Sequence, residues 1–421
     1  MLVVLKRVCL SYGFAIWLWA FVFARIPLAV VQEYSGYDSR PFILINIISF
    51  AVAFVVALDR GLKPLFIFKY RPSLLVVCSF LSFWLIYFFR MGFDSFIEPV
   101  NFIVSPFDLS KSFIISTLIP SLCMPWILSI RFSVDSLVIC SALGNISILT
   151  GIIAFFNKAM AMGFNVTEVR FEFADLNPIP AGHSSAALVI FGVILLFYAN
   201  KKISFFGSRF IYLNSVLSIF IGLWGVRLSQ TRSASIALLP LVIFSFYLLW
   251  KQTRYRWLLA GVASLLFALA LPIKRNFSDG LLFQDDNMTE RLKKFTATWE
   301  WICSHPFFGG GFNLQYLLHS LPNTIRPYWY PHNLLLDVLG IGGLFLLTPL
   351  LVFVLSIVRL IWVKLSISRA DDPLFLVFVF LWIQSILLSC FSGHMTLLPG
   401  FWVGGLMILF TCSRESAVVR D

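Results

Sequence analysis

Apolar residues fill most of the chain in long blocks, and short polar segments separate one block from the next. A transmembrane helix needs about 20 consecutive, mostly apolar residues, and twelve blocks approach or exceed that length. The blocks lie at 8–30, 41–58, 73–89, 112–130, 136–156, 179–199, 209–226, 233–250, 256–273, 332–362, 374–390 and 398–412. The pattern predicts an all-α fold, that of a polytopic membrane protein with about 12 transmembrane helices.

One long polar loop, residues 274–331, lies between the ninth and tenth predicted spans. Its middle predicts a helix, because apolar residues recur there at helical spacing. These residues are Leu292, Phe295, Trp299 and Ile302. His305 and Pro306 are expected to end this helix, and the glycines at 309–311 to form a turn. Since no internal repeat or second soluble domain is evident, residues 1–421 are predicted to form a single transmembrane domain.

The distribution of Lys and Arg predicts the orientation of the spans. If the N-terminus lies inside, the inside segments hold more than twice as many Lys and Arg residues as the short outside segments. Positive charge concentrates on the cytoplasmic side of membrane proteins. Both termini are therefore predicted to be cytoplasmic, and the loop 274–331 to lie on the opposite side.

The composition excludes several other classes of protein. With 59% hydrophobic and 12% charged residues, the chain has too few charges to cover a soluble protein of its length. The net charge of +12 then indicates contact with anionic membrane lipids, and we expect no nucleic-acid partner. Seven cysteines without a Cys-x-x-Cys pair indicate neither a disulfide framework nor a zinc site.

Sequence motifs for cofactors are missing as well. The chain has no P-loop or Gly-x-Gly-x-x-Gly loop for a nucleotide, no His-Glu-x-x-His and no Asp-x-Asp. These motifs supply the phosphate-binding loops and metal ligands of many transferases. We therefore expect no cofactor and no metal ion.

Two arginines flank a predicted helix–helix junction. Arg227 ends one apolar block, and Arg232 begins the next. One interpretation is that both side chains extend to the membrane interface, as long basic side chains at span ends do. The other is an anion clamp, because a guanidinium at a helix N-terminus among small residues suits a phosphate group.

Arg291 and His332 lie in and after the long loop. Arg291 falls in the first turn of the predicted loop helix, where a solvated surface residue is the alternative to a functional cation. His332 follows Pro331 at the N-terminus of the tenth span, where the helix dipole disfavours imidazolium. A histidine that stays neutral can accept a proton as a general base. A purely structural histidine is the other interpretation.

The remaining histidines and one buried acid are assigned structural roles. We expect His183, in the sixth span, to hydrogen-bond within the helix bundle, and His305, His319 and His394 to be structural. Asp337 lies inside an apolar helix, where a carboxylate needs a partner. An arginine on the outer side is the expected partner.

Three short motifs contain these arginines and His332. They are Thr231-Arg232-Ser233-Ala234 at the start of an apolar helix, Arg291 with Trp299, His305-Pro306 and Gly309-x-Gly311, and His332-Asn333 followed after nine residues by Gly343. In these motifs, and in their order, the sequence resembles the superfamily of bacterial O-antigen ligases and O-antigen polymerases. The matched region covers about 220–350, roughly a third of the chain.

The resemblance implies a metal-independent membrane glycosyltransferase. Its donor would be a glycan linked to polyprenyl (undecaprenyl) pyrophosphate, and its acceptor a hydroxyl of the lipid A-core or of another glycan. Arg232 and Arg291 would bind the pyrophosphate, and His332 would deprotonate the acceptor hydroxyl in one inverting displacement. The pyrophosphate leaving group supplies the energy, so no nucleotide is needed.

The resemblance also implies where the substrates bind. We expect Arg227, Arg170, Tyr330 and Asn333 to contact them. The chain would lie in the bacterial inner membrane, with the active site and the loop 274–331 on the periplasmic side. Membrane lipids would be its remaining partners.

Ligase and polymerase differ in the acceptor. Some polymerases carry two outer loops with Arg, ten residues and Gly, whereas here Arg170 and Arg291 are followed at that spacing by Ala181 and Ile302. This difference favours the ligase and leaves the polymerase as the alternative. A transporter or flippase for lipid-linked glycans is a third possibility, against which the missing internal repeat argues.

Overall fold

A computed structural model describes most of the chain. The described residues are 2–36, 41–59, 71–96, 102–128, 134–163, 171, 173, 176, 178–198, 206–244, 286–321, 330–368, 372–391 and 398–418. Arg170, His394 and the ninth predicted block, 256–273, lie outside them. For Arg232 the backbone is described and the side chain is not.

The described residues form helices joined by turns. The helices are α1 (Leu2–Val22), α2 (Arg25–Ser35), α3 (Pro41–Asp59), α4 (Arg71–Phe96), α5 (Pro106–Phe113), α6 (Ile119–Ile127), α7 (Val134–Ala161), α8 (Pro178–Tyr198), α9 (Ser208–Ser229), α10 (Arg232–Ala237), α11 (Asp286–Ser304), α12 (Asn313–His319), α13 (Leu334–Ser368), α14 (Pro373–Phe391) and α15 (Pro399–Val418). A π-helical segment, Ile114–Leu118, joins α5 to α6. Phe173 and Leu176 form an isolated β-bridge. The all-α prediction is confirmed for this part of the chain.

Seven helices in the described part are long and apolar enough to cross a membrane. The number rises to eight if α1 and α2, which meet at an angle of 64°, form one bent span. Shorter apolar helices coincide with three more predicted blocks, at Ile43–Leu58, Ser233–Phe244 and Pro399–Cys412. The chain is therefore a polytopic helical membrane protein, while the count of twelve spans and their orientation stay predictions.

The chain folds into two compact units. The first comprises Met1–Leu65, Cys123–Ile273 and Ala370–Gln384, and the second comprises Phe66–Leu122, Lys274–Arg369 and Ser385–Asp421. Arg227 and Arg232 belong to the first unit, whereas Arg291 and His332 belong to the second. The interpretation of the chain as a single transmembrane domain stays a prediction.

Small and polar residues hold the first unit together. A Cβ atom on Gly192 would lie 2.7 Å from the carbonyl oxygen of Ser215, so α8 and α9 pack backbone to backbone there. Asn145 of α7 donates its amide to Asn214 and Ser218 of α9, at 3.0 Å each. Close backbone approach and interhelical hydrogen bonds are typical of helix packing in membranes, where apolar burial alone drives little association.

Aromatic side chains form the core of the second unit. Phe83 and Trp84 of α4 pack against Trp402 of α15, with ring centroids 4.7 and 5.2 Å apart. Phe353 of α13 packs against the same Trp402, at 5.3 Å. Tilted and edge-on contacts of this kind stabilise aromatic pairs. They fix α4 and α15 against α13, the helix whose N-terminus carries His332 and Asn333.

Candidate active site

The junction between α9 and α10 has the local structure that the sequence predicts. Gln230 ends α9 in a left-handed conformation (φ 50°), and its N–H donates to the carbonyl of Arg227. Thr231 is extended, and α10 begins at Arg232. The side chain of Arg227 is exposed in the last turn of α9. Both arginines therefore flank a sharp turn, as expected, while their contacts with substrate stay predictions.

His183 hydrogen-bonds beside this junction through both ring nitrogens. The Gln384 amide nitrogen donates to the His183 carbonyl at 2.6 Å and lies 3.1 Å from Nδ1 of the same histidine. Since a carbonyl can only accept, an NH2 group faces His183, and Nδ1 must accept from it. The proton of the neutral ring is then on Nε2, which donates to the Ser233 hydroxyl at 3.1 Å.

These contacts confirm the prediction that His183 hydrogen-bonds within the bundle. They also connect His183 to the start of α10, because Ser233 directly follows Arg232 in the first turn of that helix. His183 therefore holds the turn that carries Arg232. Sequence reasoning missed Gln384, since a single amide in an apolar span gives no signal of its partner.

Gly182 allows α8 to approach the same junction. A Cβ atom at this position would lie 2.6 Å from the Ser229 hydroxyl and would also collide with the Thr231 hydroxyl. Ser229 donates to the Val226 carbonyl, and its oxygen lies 2.9 Å from the Thr231 hydroxyl. The junction is thus enclosed by short polar contacts that leave no room for a larger residue.

Asn333, and not His332, caps the tenth predicted span. The Asn333 side-chain oxygen accepts from the N–H groups of Leu335 and Leu336, at 3.0 and 3.2 Å. Its amide nitrogen donates to the Cys390 carbonyl at 3.1 Å. The helix begins at Leu334. Asn333 therefore supplies the N-cap of this helix, while substrate binding by Asn333 stays a prediction.

His332 is buried beside two positive charges. It adopts a left-handed backbone conformation (φ 59°), has 7% of its surface exposed, and packs against Tyr330 with ring centroids 4.4 Å apart. Burial, with smaller contributions from the charges of Arg291 and Lys294, lowers the pKa of His332 to about 3. The imidazole is therefore neutral at pH 7. Burial and neighbouring cations cause this, whereas the sequence suggested the helix dipole.

The helix α11 presents a polar face to the interior of the second unit. Lys294 is 1% exposed and lies 3.5 Å from Glu290, one turn earlier. Burial lowers the pKa of Lys294, Glu290 opposes this shift, and the neighbouring Arg291 adds to it. Arg291 itself is half-buried. The structure thus brings Arg291 and His332 within electrostatic range, and it adds Lys294, which the sequence analysis did not select.

The glycines after α11 pair with a break in α13. At Gly343 the helix has a non-helical conformation (φ 59°, ψ −155°). The N–H groups of Gly310 and Gly311 donate to the carbonyls of Gly340 and Ile341, at 3.0 and 3.1 Å.

In return, Leu344 and Phe345 donate to the carbonyls of Pro306 and Phe307, at 3.0 Å each. The turn after α11 therefore satisfies backbone groups that the break leaves without helical partners.

No side chain would fit in this pairing. A Cβ atom on Gly309 would lie 2.5 Å from the backbone of Ile341, and one on Gly343 would lie 2.5 Å from the backbone of Phe307. Both glycines also have positive φ, which other residues adopt at a cost. One backbone contact therefore requires glycine at two positions that belong to separate sequence motifs. This contact fixes α11 relative to the start of α13.

Asp94 of α4 holds the end of the same turn. Its carboxylate is 1% exposed, accepts from the Phe312 N–H at 2.7 Å and pairs with Arg90 at 3.0 Å. A Cβ atom on Gly311 would collide with this carboxylate and with Arg90. The sequence analysis missed Asp94, because the contact joins residues 218 positions apart.

Asp337, the other buried acid, lies in the first turn of α13. There its negative charge is favourable at the positive end of the helix dipole. Its carboxylate also interacts electrostatically with the Tyr87 phenol of α4. The arginine partner expected from the sequence stays a prediction.

Comparison with known families adds an independent line of evidence. Residues 217–351 match the family model described as O-antigen ligase. No curated protein matches the sequence. The matched segment is about a third of the chain and contains Arg227, Arg232, Arg291, Tyr330, His332 and Asn333. This match confirms, over residues 217–351, the resemblance of the motifs to the O-antigen ligase and polymerase superfamily.

Proposed function

We propose that the chain is an O-antigen ligase-type inverting glycosyltransferase of the bacterial inner membrane. It would move a glycan from undecaprenyl pyrophosphate to a sugar hydroxyl of the lipid A-core on the periplasmic side. The observation that carries this proposal is the neutral, buried His332 beside the cations Arg291 and Lys294. A base next to an anion-binding charge is what glycosyl transfer from a pyrophosphate requires.

The reaction is one displacement. His332 removes the proton of the acceptor hydroxyl, and the hydroxyl oxygen attacks the anomeric carbon of the donor sugar. The bond between that carbon and the pyrophosphate oxygen breaks, and the electron pair leaves with the polyprenyl pyrophosphate. The products are the inverted glycoside, the lipid pyrophosphate and a proton on His332. Arg291 stabilises the charge that develops on the leaving oxygen, and the role of Arg232 in donor binding is proposed from its motif.

Donor binding would also strengthen the base. In the free protein, Arg291 and Lys294 contribute to the low pKa of His332. A bound pyrophosphate would offset these two positive charges and so raise the pKa of His332 towards neutrality. General bases work best when their pKa lies near the operating pH. His332 would therefore be a stronger base when the donor is in place, although burial, the larger cause, still lowers its pKa.

Each guanidinium can be tested without removing its charge. Replacing Arg232 or Arg291 with Lys retains the positive charge and loses the bidentate geometry that suits a phosphate. We expect kcat/KM for the donor to fall about 10²-fold or more in each variant, the loss typical of a removed charge-stabilising donor. Transfer at the wild-type rate by both variants would show that geometry at these positions is unimportant.

The acceptor separates the ligase from the polymerase. The purified chain in proteoliposomes is given a lipid-linked glycan donor, alone or with lipid A-core. A ligase forms glycosylated lipid A-core and nothing with donor alone. Longer lipid-linked glycans with donor alone would identify the polymerase alternative. No product in either reaction, from protein that binds the donor, would contradict the glycosyltransferase proposal.

A further inference from the structure

The exposed side of α11 is more apolar than the exposed side of a helix in water. Its buried face carries Glu290, Lys294 and Thr298, whereas Leu292 and Trp299 are 47% and 57% exposed. A helix on the surface of a soluble protein has the opposite arrangement, with apolar residues inside and charges outside. Something other than water must therefore cover its exposed apolar residues.

The exposed residues of α11 fall into two stripes. At about 100° per residue, the exposed Leu292 and Trp299 and the half-buried Phe295 lie within about 60° of one another around the helix axis. Lys293 and Glu300 are exposed on an adjacent polar stripe. An apolar stripe with a bulky aromatic residue beside a charged stripe is typical of a helix that lies at a membrane–water interface.

The turn that follows α11 continues this apolar surface. Phe307 and Phe308 are 65% and 67% exposed, although they belong to a backbone that is hydrogen-bonded to α13. The Phe308 ring lies 5.8 Å from the ring of Phe345. Phe345 and its neighbour Leu344 are themselves exposed on a helix long and apolar enough to cross a membrane.

The break at Gly343 separates a segment of α13 that is bonded to the turn after α11 from a segment long enough to cross the membrane. Before it, Gly340 and Ile341 hydrogen-bond to the turn after α11. After it, residues 344–366 remain helical, which at 1.5 Å per residue gives roughly 34 Å, enough to cross a hydrocarbon core of about 30 Å. The exposed phenylalanines of the turn thus lie where the lipid-facing surface of this span begins.

We propose that Leu292, Phe295, Trp299, Phe307 and Phe308 form one lipid-contact surface that is embedded in the interfacial region of the bilayer. Continuity with the exposed face of α13 favours lipid over a second copy of the chain as the partner. Lys293, on the polar stripe, would lie among lipid headgroups. The proposed function is not needed for this inference.

The lipid-contact surface has a consequence for the site on the other face of α11. It would hold Arg291 and Lys294 at the height of the headgroups. On the proposed function, the pyrophosphate of a polyprenyl-linked donor lies at the same height, so the surface would set the depth at which the donor is bound.

Photocrosslinking in the full-length chain tests this proposal. The photoreactive amino acid p-benzoylphenylalanine replaces Trp299 or Phe308, one at a time. Glu300, exposed on the polar stripe of the same helix, is the matched control position, and Leu355, 65% exposed in the span, is the positive control. The proteins are irradiated in vesicles of phosphatidylethanolamine and phosphatidylglycerol, and adducts are identified by mass spectrometry.

We expect phospholipid adducts at 299 and 308 at several times the yield at 300, approaching the yield at 355. Adducts of 299 or 308 with a second copy of the chain would overturn the proposal in favour of an oligomer interface. Yields at 299 and 308 equal to that at 300, with strong lipid adducts at 355, would show that these side chains face water. Variants are compared only after each elutes at the wild-type volume and unfolds at the wild-type temperature.

Discussion

At the scale of single residues, the candidate site depends on a balance between burial and charge. Burial favours the neutral form of His332 and disfavours the ammonium of Lys294, but Glu290 pairs with the lysine and opposes the second effect. The result is a neutral base beside a cation. Arg291 adds a second positive charge near the same imidazole. An incoming anion would therefore meet positive charge, and an incoming hydroxyl would meet an unprotonated base.

The pH dependence of transfer tests this balance. The kcat/KM profile reports the free enzyme, so its acid limb should lie well below the ordinary histidine pKa of 6.5, because the pKa of His332 is lowered to about 3. Replacing Lys294 with Met removes one cause of this lowering and should move the limb upward. Replacing the exposed Lys293 with Met is the matched control and should leave the limb in place.

The stability of the fold must be followed in the same experiment. Because the folded pKa of His332 is below its unfolded value, the unfolded chain binds this proton first as the pH falls below about 6.5. Stability is therefore lost progressively from about pH 6.5 down to about pH 3. Activity that returns on readjustment to pH 7 separates titration from unfolding. An unchanged limb in the Lys294→Met variant would contradict the charge balance.

Some residues of the site could be predicted from the sequence, and others could not. Arg291 and His332 were identified because they recur in motifs with family-specific spacing. Lys294, Asp94 and Gln384 have no such spacing, and their roles follow from tertiary partners far away in the chain. The expected side-chain roles of Arg232 and Arg170 remain predictions on residues that lie wholly or partly outside the described structure.

At the scale of secondary structure, the hydrophobic pattern locates the helices well and their breaks poorly. The predicted block 332–362 lies on one helix, but Gly343 interrupts it through hydrogen bonds to the turn at 306–311. A break of this kind depends on a partner segment, which periodicity cannot show. The spacing of Leu292 and Trp299 likewise predicts the helix α11 correctly and not its buried face, since that inference assumes water on the outer side.

The pairing of the glycine turn with the break can be tested by single methyl groups. Gly309→Ala and Gly343→Ala each place a Cβ atom 2.5 Å from backbone and force alanine into a positive φ. We expect each to destabilise the protein by at least about 1 kcal/mol and to lower transfer, because α11 would shift relative to His332. Thermal unfolding in detergent and transfer per mole of folded protein measure the two effects.

Gly92→Ala provides the matched control for these variants. Gly92 lies in α4 with nothing within 4 Å of its would-be Cβ atom. It should therefore retain wild-type stability and activity. If Gly309→Ala and Gly343→Ala behave in the same way as Gly92→Ala, the close pairing of the turn with α13 is wrong.

At the scale of the whole molecule, the central open prediction is topology. Eleven of the twelve predicted blocks overlap described helices, and seven or eight of these meet the length and hydropathy expected of a span. The orientation rests on the positive-inside rule alone. It predicts that the loop 274–331 with Arg291, and His332 directly after it, lie on the periplasmic side.

Cysteine labelling tests that orientation directly. In a variant without the native cysteines, Asn323→Cys should react with an impermeant thiol reagent in intact spheroplasts. Ala370→Cys, in the next loop along the chain, should react only after lysis, because that loop is predicted to be cytoplasmic. The reverse labelling pattern would invert the topology and place the candidate site on the cytoplasmic side.

The measurement that tests the account most directly is transfer by the His332→Asn variant, per mole of purified protein, with lipid-linked glycan and acceptor. Asn tolerates the left-handed conformation of position 332, and Asn333 still caps α13, so the fold and donor binding should be retained. Loss of the base predicts a rate about 10²–10⁴-fold lower. His319→Asn, an exposed histidine of α12, should match the wild type. Wild-type turnover by His332→Asn would contradict the general-base role on which the proposed mechanism rests.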